Sequence, residues 1–263
     1  MKNLLIADSW TWIFVVCLSL AKGHCAVYYG NGSTTGGGTV GNGRLSLSDN
    51  GTMVSGTFNR GPVGFQLNLI LYIDSVSGGF VDTTQFSDSA DALRTSVSGY
   101  YASGSSRATA YFAPGFTADY AIALGVNGPN KGNLYHLIPG GNGSMELIRS
   151  VNLSPNGSPN ASTFTFNFNL ADIGLPAGSG NFFKMESSYI SSGAFRELES
   201  FESLTGTRGL GTVNFGNYDT YGVDPVPEMT TGSLAIFGGI IIGARFVTRA
   251  RKSRNAEPCL QNG

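Results

Sequence analysis

The sequence predicts an all-β fold: a two-sheet, jelly-roll-like β-sandwich with one short helix. Three observations carry that expectation. Short runs alternate apolar and polar residues, the pattern of a half-buried strand. Turn signals rich in Gly, Asn and Ser separate these runs at short intervals. Glycine makes up 38 of the 263 residues, which suits a chain that reverses often. A parallel β-helix is the rival architecture. No repeat of about 20–50 residues is present to support it.

The elements follow in order. Residues 27–29 form a short strand, and residues 30–43 are a Gly/Ser/Thr/Asn stretch with no packing content. Residues 44–48 (RLSLS) and 52–58 alternate, with Asn50-Gly51 between them. Asn-Gly between alternating runs is a strong hairpin signal, because both residues tolerate positive φ. Residues 65–73 (FQLNLILYI) read as a long strand buried at its far end. Strands are further expected at 108–112, 120–126, 134–138, 146–151, 163–170, 182–190 and 213–215. In residues 163–170, Phe164, Phe166, Phe168 and Leu170 share one face. The helix is expected over residues 88–97 (DSADALRTSV), opened by Asp88. Residues 172–175 make a single turn, ended by Gly174 and Pro176.

Both ends differ from this body. At the amino terminus Lys2 precedes the apolar residues 10–20, and small residues follow at Ala21, Gly23 and Ala26. That is a secretory signal pattern over residues 1–26, with the cut expected within residues 23–26. Cys25 lacks a leucine three residues before it, so no lipoprotein anchor is expected. At the carboxyl end, Val226-Pro227-Glu228 precedes an apolar run over residues 232–244. Arg245, Arg249, Arg251, Lys252 and Arg254 follow. A spanning helix wants about 20 residues, with about 17 as a lower bound. The run reaches about 17 if Arg245 bends its head to the interface and Phe246 and Val247 are included. The basic cluster is then expected on the cytoplasmic side and the body outside.

This three-part tail resembles the PEP-CTERM sorting signal. Val226, Pro227 and Glu228 match its motif, while Met229 stands where a second proline is usual. The polar residues 255–263 extend past the family's basic end. The resemblance implies a chain of four parts: signal peptide 1–26, β-sandwich 27–224, sorting signal 225–254 with its transmembrane helix, and polar tail 255–263. It also implies an exosortase-type processing enzyme as partner, passage through the inner membrane, cutting near Pro227-Glu228 and delivery to the cell surface or beyond. In that family, export accompanies exopolysaccharide and biofilm production.

The body resembles DOMON-like and carbohydrate-binding-module-like sandwiches over about residues 65–215. The matching stretches are Leu71-Tyr72-Ile73-Asp74 with Gly78-Gly79-Phe80, Asp91-Ala92-Leu93-Arg94, and residues 113–120 (APGFTADY). Residues 171–175 and Ala194-Phe195-Arg196 with Glu199 complete the set. That resemblance implies sugar-binding or haem-binding relatives. No haem-ligand pair carries over from it to this chain, and no cofactor is expected beyond Ca²⁺; His136 and Met145 are the only candidates.

Composition narrows the chemistry. Residues 27–224 hold nine basic side chains against fourteen acidic, a net charge of −5, so no nucleic-acid partner is expected. Cys17, Cys25 and Cys259 all fall outside that span, so the body stabilises itself by apolar burial. A strand histidine at a surface or edge is the plain reading of His136. Glu197, Glu199 and Glu202 cluster in residues 196–202 (RELESFE) and read as a solvated charged turn, or as a glycosidase pair. Asp82, Asp88 and Asp91 offer oxygen ligands for Ca²⁺, against helix capping by Asp88. Tyr100, Tyr101, Tyr111, Tyr135, Tyr189, Tyr218 and Tyr221 are aromatic faces for sugar rings or ordinary packing. The expectation is a non-catalytic surface or matrix protein. A glycan-binding module is the alternative, and a glycoside-acting enzyme is the third reading.

Overall fold

The computed structural model describes residues 24–125, 132–138, 143–178 and 181–222. The signal segment before His24, the Val226-Pro227-Glu228 motif, the apolar run and the basic cluster lie outside them. Among the described residues no helix is long and apolar enough to cross a membrane.

The described residues are mostly β-sheet with one α-helix, and their sheets are arranged as a sandwich. The strands are β1 (Cys25–Tyr29), β2 (Arg44–Asp49), β3 (Met53–Asn59), β4 (Asn68–Asp74), β5 (Tyr100–Tyr101), β6 (Ser106–Arg107), β7 (Thr109–Tyr111) and β8 (Tyr120–Leu124). They continue as β9 (Gly132–Leu137), β10 (Met145–Ser150), β11 (Thr163–Asn169), β12 (Phe183–Ile190), β13 (Leu204–Gly206), β14 (Thr212–Phe215) and β15 (Asp219–Tyr221). A four-stranded sheet runs β1-β2-β3-β11 and a six-stranded sheet β10-β9-β8-β4-β12-β15, both antiparallel throughout. A small sheet β13-β14-β7 and the pair β5-β6 lie outside these two.

Two cores explain the sequence patterns. The first lies between the large sheets. Leu45, Leu47, Val54, Phe58, Phe164, Phe166 and Phe168 meet Leu69, Leu71, Ile73, Ile122, Phe183 and Tyr189 there. The expected Phe164–Leu170 face is this interior, and Thr163, Thr165 and Asn167 point to solvent. The second core covers the other face of the six-stranded sheet. Ile70, Tyr72, Ala121, Ala123 and Tyr135 pack against Leu93, Val97, Phe112, Phe116 and Val213. A sheet covered on both faces needs strands that are apolar throughout. That is why β4, NLILYID, shows no alternation and is buried over its first six residues.

Several boundaries differ from expectation for local reasons. The chain before β4 is not ladder-paired: the Gln66 and Leu67 amides both donate to the Tyr189 hydroxyl, each at 3.0 Å. The β2–β3 connection is a hairpin whose tip is Gly51-Thr52, one residue later than Asn50-Gly51, closed by the Asn50 amide donating to the Met53 carbonyl at 3.2 Å. Only Gly51 has positive φ (83°), and the Asn50 side chain accepts from the Thr52 and Met53 amides in an Asx turn. The helix spans Ala92–Ser98, not 88–97. Asp91, rather than Asp88, caps it by accepting from the Leu93 and Arg94 amides at 2.9 Å each. Cys25, just before the expected body at residues 27–224, opens β1 as an exposed free thiol.

Gly56 marks a close approach inside the first core. It pairs with Phe166 across β3 and β11, and the ring lies over it. A Cβ there would sit 2.2 Å from the ring. Gly56→Ala should cost about 1–3 kcal/mol by overpacking, measured by denaturant unfolding. Adding Phe166→Leu should recover part of that loss. A Gly56→Ala protein as stable as the parent would show that the ring moves freely.

Candidate functional site

The ionisable residues of the 196–202 segment are not a solvated turn. The segment runs extended beside the end of β12: the Glu197 amide donates to the Tyr189 carbonyl at 2.8 Å, and the Tyr189 amide to the Glu199 carbonyl at 3.2 Å. On its other side Arg196 and Gly209 exchange backbone bonds of 3.0 and 2.8 Å. This places the side chains in the interior, where Arg196, Glu197, Glu199 and Glu202 are at most 3% exposed. Buried charges persist only when paired, hydrogen-bonded or neutralised, and each of these side chains meets that demand differently.

Glu199 is solvated by backbone. Its Oε1 accepts from the Gly36 amide at 2.6 Å and the Gly38 amide at 2.9 Å. Its Oε2 accepts from the Val40 amide at 2.8 Å and the Gly41 amide at 3.1 Å. Four N–H groups converging on one carboxylate form an anion cradle. The glycine-rich loop is therefore ordered, with Thr39, Val40 and Gly41 buried. It has packing content that composition does not show. Glycine is required where backbone crosses backbone: a Cβ on Gly41 would sit 2.0 Å from the Ser33 carbonyl oxygen.

Glu197 points the same way as Glu199 and forms a two-point pair with Arg208, at 2.5 Å to Nε and 3.0 Å to Nη2. Arg196 points the other way, toward the second core. Its Nη1 donates to Ser188 Oγ and its Nη2 to the Ala108 carbonyl at 3.3 Å. Glu197 and Glu199 thus have their oxygens committed to the framework.

In the remaining acids burial raises the pKa and so favours the protonated form. Glu202 Oε2 accepts from the Ser187 amide at 2.8 Å and hydroxyl at 2.7 Å. Glu186, on β12, accepts from the Ala113 amide at 2.9 Å. Glu186 Oε2 and Glu202 Oε1 have no hydrogen-bond partner among the described residues. Burial pushes Glu186 up to about 9, and the nearby Glu202 and Asp74 add to the shift. Burial and the charge of Asp219 push Glu202 up to about 8. Burial alone pushes Asp219, on β15, up to about 6. Glu186 and Asp219 escaped sequence reasoning. The legible signal for Glu186 was a lone carboxylate inside a strand, FKMESSYI, whose residues other than Lys184 are apolar or hydroxylic.

The other candidates are placed as follows. Asp82 accepts from the Thr84 amide at 2.8 Å, closing an Asx turn. Asp88 pairs with Arg94 and accepts from the Met145 amide at 3.0 Å and the Ala90 amide at 3.2 Å. Burial raises Asp88, but these bonds outweigh it and hold it below the ordinary range. With Asp91 capping the helix, each carboxylate has a framework task. No group of three or more metal-ligating side chains occurs among the described residues. His136 is one-third exposed on β9, an interior strand of its sheet, stacks on Tyr120 at 5.0 Å and lies 3.5 Å from Glu146. Met145 pairs with Leu137 and His136 with Glu146, so the two candidate haem ligands lie on opposite faces of the sheet. Tyr135, Tyr189 and Tyr221 are buried packing residues, while Tyr101 and Tyr111 are exposed.

One surface stands out. The outer face of the four-stranded sheet presents rows set by register: Val27-Ser46-Thr57-Thr165, Cys25-Ser48-Ser55-Asn167 and Tyr29-Arg44-Asn59-Thr163. Arg44 is the one charged side chain in these rows. A groove of about 200 Å³ runs beside them, lined by Ser55, Thr57, Asn152, Ser154, Thr165 and Asn167. Such a face carries a single cation, Arg44, and is dense in donors and acceptors.

Two outcomes follow. Glu199→Ala leaves four buried amides without an acceptor and should cost about 3–5 kcal/mol. Hydrogen exchange should show protection lost first over residues 36–41; uniform loss across the domain would contradict the cradle's local role. Glu186, Glu202 and Asp219 hold more protons folded than unfolded, their unfolded values being 4.5, 4.5 and 3.8. Stability is therefore fullest below about pH 4–5 for these groups and falls as pH rises toward 9. The melting temperature should drop by about 10 °C between pH 5.5 and 9. Glu202→Gln, which mimics the protonated form, should flatten that profile.

No protein-family model matches the chain, and comparison with curated proteins and with solved structures returns no match.

Proposed function

We propose that this is an exported protein whose β-sandwich serves at the cell surface or in the extracellular matrix as a structural or adhesive body rather than a catalyst. The observation that carries the reading is the order of address signals around the body. A charged start and apolar run stand before it; Val226-Pro227-Glu228, an apolar segment and a five-residue basic cluster stand after it. In this reading residues 1–26 hold the secretion signal, the tail spans the inner membrane in transit, and an exosortase-type enzyme cuts near Pro227-Glu228. The exported material joins an exopolysaccharide matrix. The framework roles of Glu197 and Glu199 support a non-catalytic body, because an acid–base pair needs oxygens free to face substrate. The jelly-roll-type reading of the sandwich rests on three passages between sheets, from β3 to β4, from β10 to β11 and from β11 to β12.

A second reading, a glycan-binding module, is favoured by the Ser/Thr/Asn-rich face. Sugars are recognised by hydroxyl and amide arrays together with apolar or aromatic contacts. Rows with Arg44 as their one charge suit a neutral polysaccharide better than a highly ionic one.

The full chain, tagged within an exposed loop, should be produced in an exosortase-bearing host and fractionated. The body should appear at the surface or in the medium, shortened at both ends. An intact chain in the cytosol would end the export reading. Retention of the released body on a neutral polysaccharide matrix, lost on Thr165→Glu, would select the glycan-binding form. No retention on any matrix would leave the structural one.

A further inference from the structure

Three bonds near residues 23–26 are plausible sites for removing a signal segment, and the body itself distinguishes among them. Asp49 is the hub. Its carboxylate lies 3.4 Å from the His24 amide nitrogen, and its own amide donates to the His24 carbonyl at 3.2 Å. The Tyr221 hydroxyl lies 2.5 Å from Asp49 Oδ2 and 3.1 Å from the His24 carbonyl oxygen. The His24 ring sits edge-on to Tyr221 at 5.2 Å. Nearby, the Tyr28 hydroxyl donates to the Thr220 carbonyl at 2.9 Å. His24 and β1 thus clasp the last strand, β15, against the β2–β3 hairpin. The Tyr221 hydroxyl has a raised pKa, through burial first and its bond to Asp49 second. It therefore stays a donor.

We propose that the chain is cut between Gly23 and His24, and that the new amino group of His24 closes an ion pair with Asp49. The inference rests on the export reading and adds to it the position of the cut. Ala21-Lys22-Gly23 places small residues one and three positions before that bond, as signal cleavage requires. Gly23-His24-Cys25 offers a similar small-residue spacing for a cut before Ala26, so sequence leaves both open. A cut before Ala26 or Val27 removes His24 and Cys25, and with them the ring contact and the His24 bonds that seat Tyr221. A cut before His24 keeps every one of these contacts. Hydrolysis adds one water across the amide: the carboxylate stays with Gly23, and the released amine takes a proton. A single N–H donor beside Asp49 becomes a three-donor cation, and a charge-assisted bond is stronger than a neutral one. Cys25 is then retained as the second residue of the exported chain.

The released protein, produced from the full chain with Cys259→Ser, should be analysed by N-terminal sequencing and intact mass after thiol alkylation. The expected result is a chain starting at His24 with one alkylated thiol. A start at Ala26 or Val27, with none, overturns the position and leaves export standing. An uncut chain starting at Met1 overturns the export reading and this one together. The ion pair is tested separately with purified chains starting at His24 and at Gly23. Asp49→Asn should lower the melting temperature of the first by about 3 °C more than that of the second. Equal losses would overturn the pair.

Discussion

The Glu199 carboxylate organises much of this molecule. Its four amide donors come from a loop of glycine and small polar residues with little apolar surface of its own to bury. Without an acceptor those amides would have to face water, and the loop would leave the surface it covers. Without the amides, a carboxylate at 0% exposure would be an uncompensated buried charge. Each side makes the other tolerable. The result ties residues 36–41, near the start of the body, to the 196–202 segment near its end. Ties between parts of the chain so far apart cost loop-closure entropy, which grows only slowly with length.

Around that point the fold uses three different answers to buried acidity. Backbone amides solvate Glu199, Arg208 pairs with Glu197, and protonation neutralises Glu186 and Glu202. The choice follows local supply. Glu199 faces a turn with free amides, and Glu197 faces an arginine at the surface. Glu186 lies between two cores, where Ala113 offers one amide to one of its oxygens. Raised carboxyl values mark catalytic acids in many proteins. Here burial on packed strands raises them, which makes the stability of the body depend on pH.

The ends of the body meet. Tyr221 touches His24 and Asp49, and β1 lies near β15, so the first and last described segments are parts of one clasp. That arrangement makes completion of the body depend on both of its flanking segments. It leaves the outer face of β1, β2, β3 and β11, with its hydroxyl and amide rows, free to meet other molecules.

Period-two alternation in the chain was enough to determine the all-β class, the position of most strands and the inward face of Phe164, Phe166 and Phe168. Alternation is a local property, and one buried face is sufficient to impose it. The three-part tail and the signal pattern are likewise linear features, legible without a fold. Tertiary structure alone decided that RELESFE lies inside, that the glycine loop is ordered and that Tyr135, Tyr189 and Tyr221 are packing residues. Whether a charge is solvated depends on which distant groups face it. For Glu199 those groups are amides about 160 positions away, which no local pattern encodes. The six-stranded sheet is covered on both faces, and this too was invisible locally, because a short apolar run reads the same in a doubly covered strand as in a buried helix.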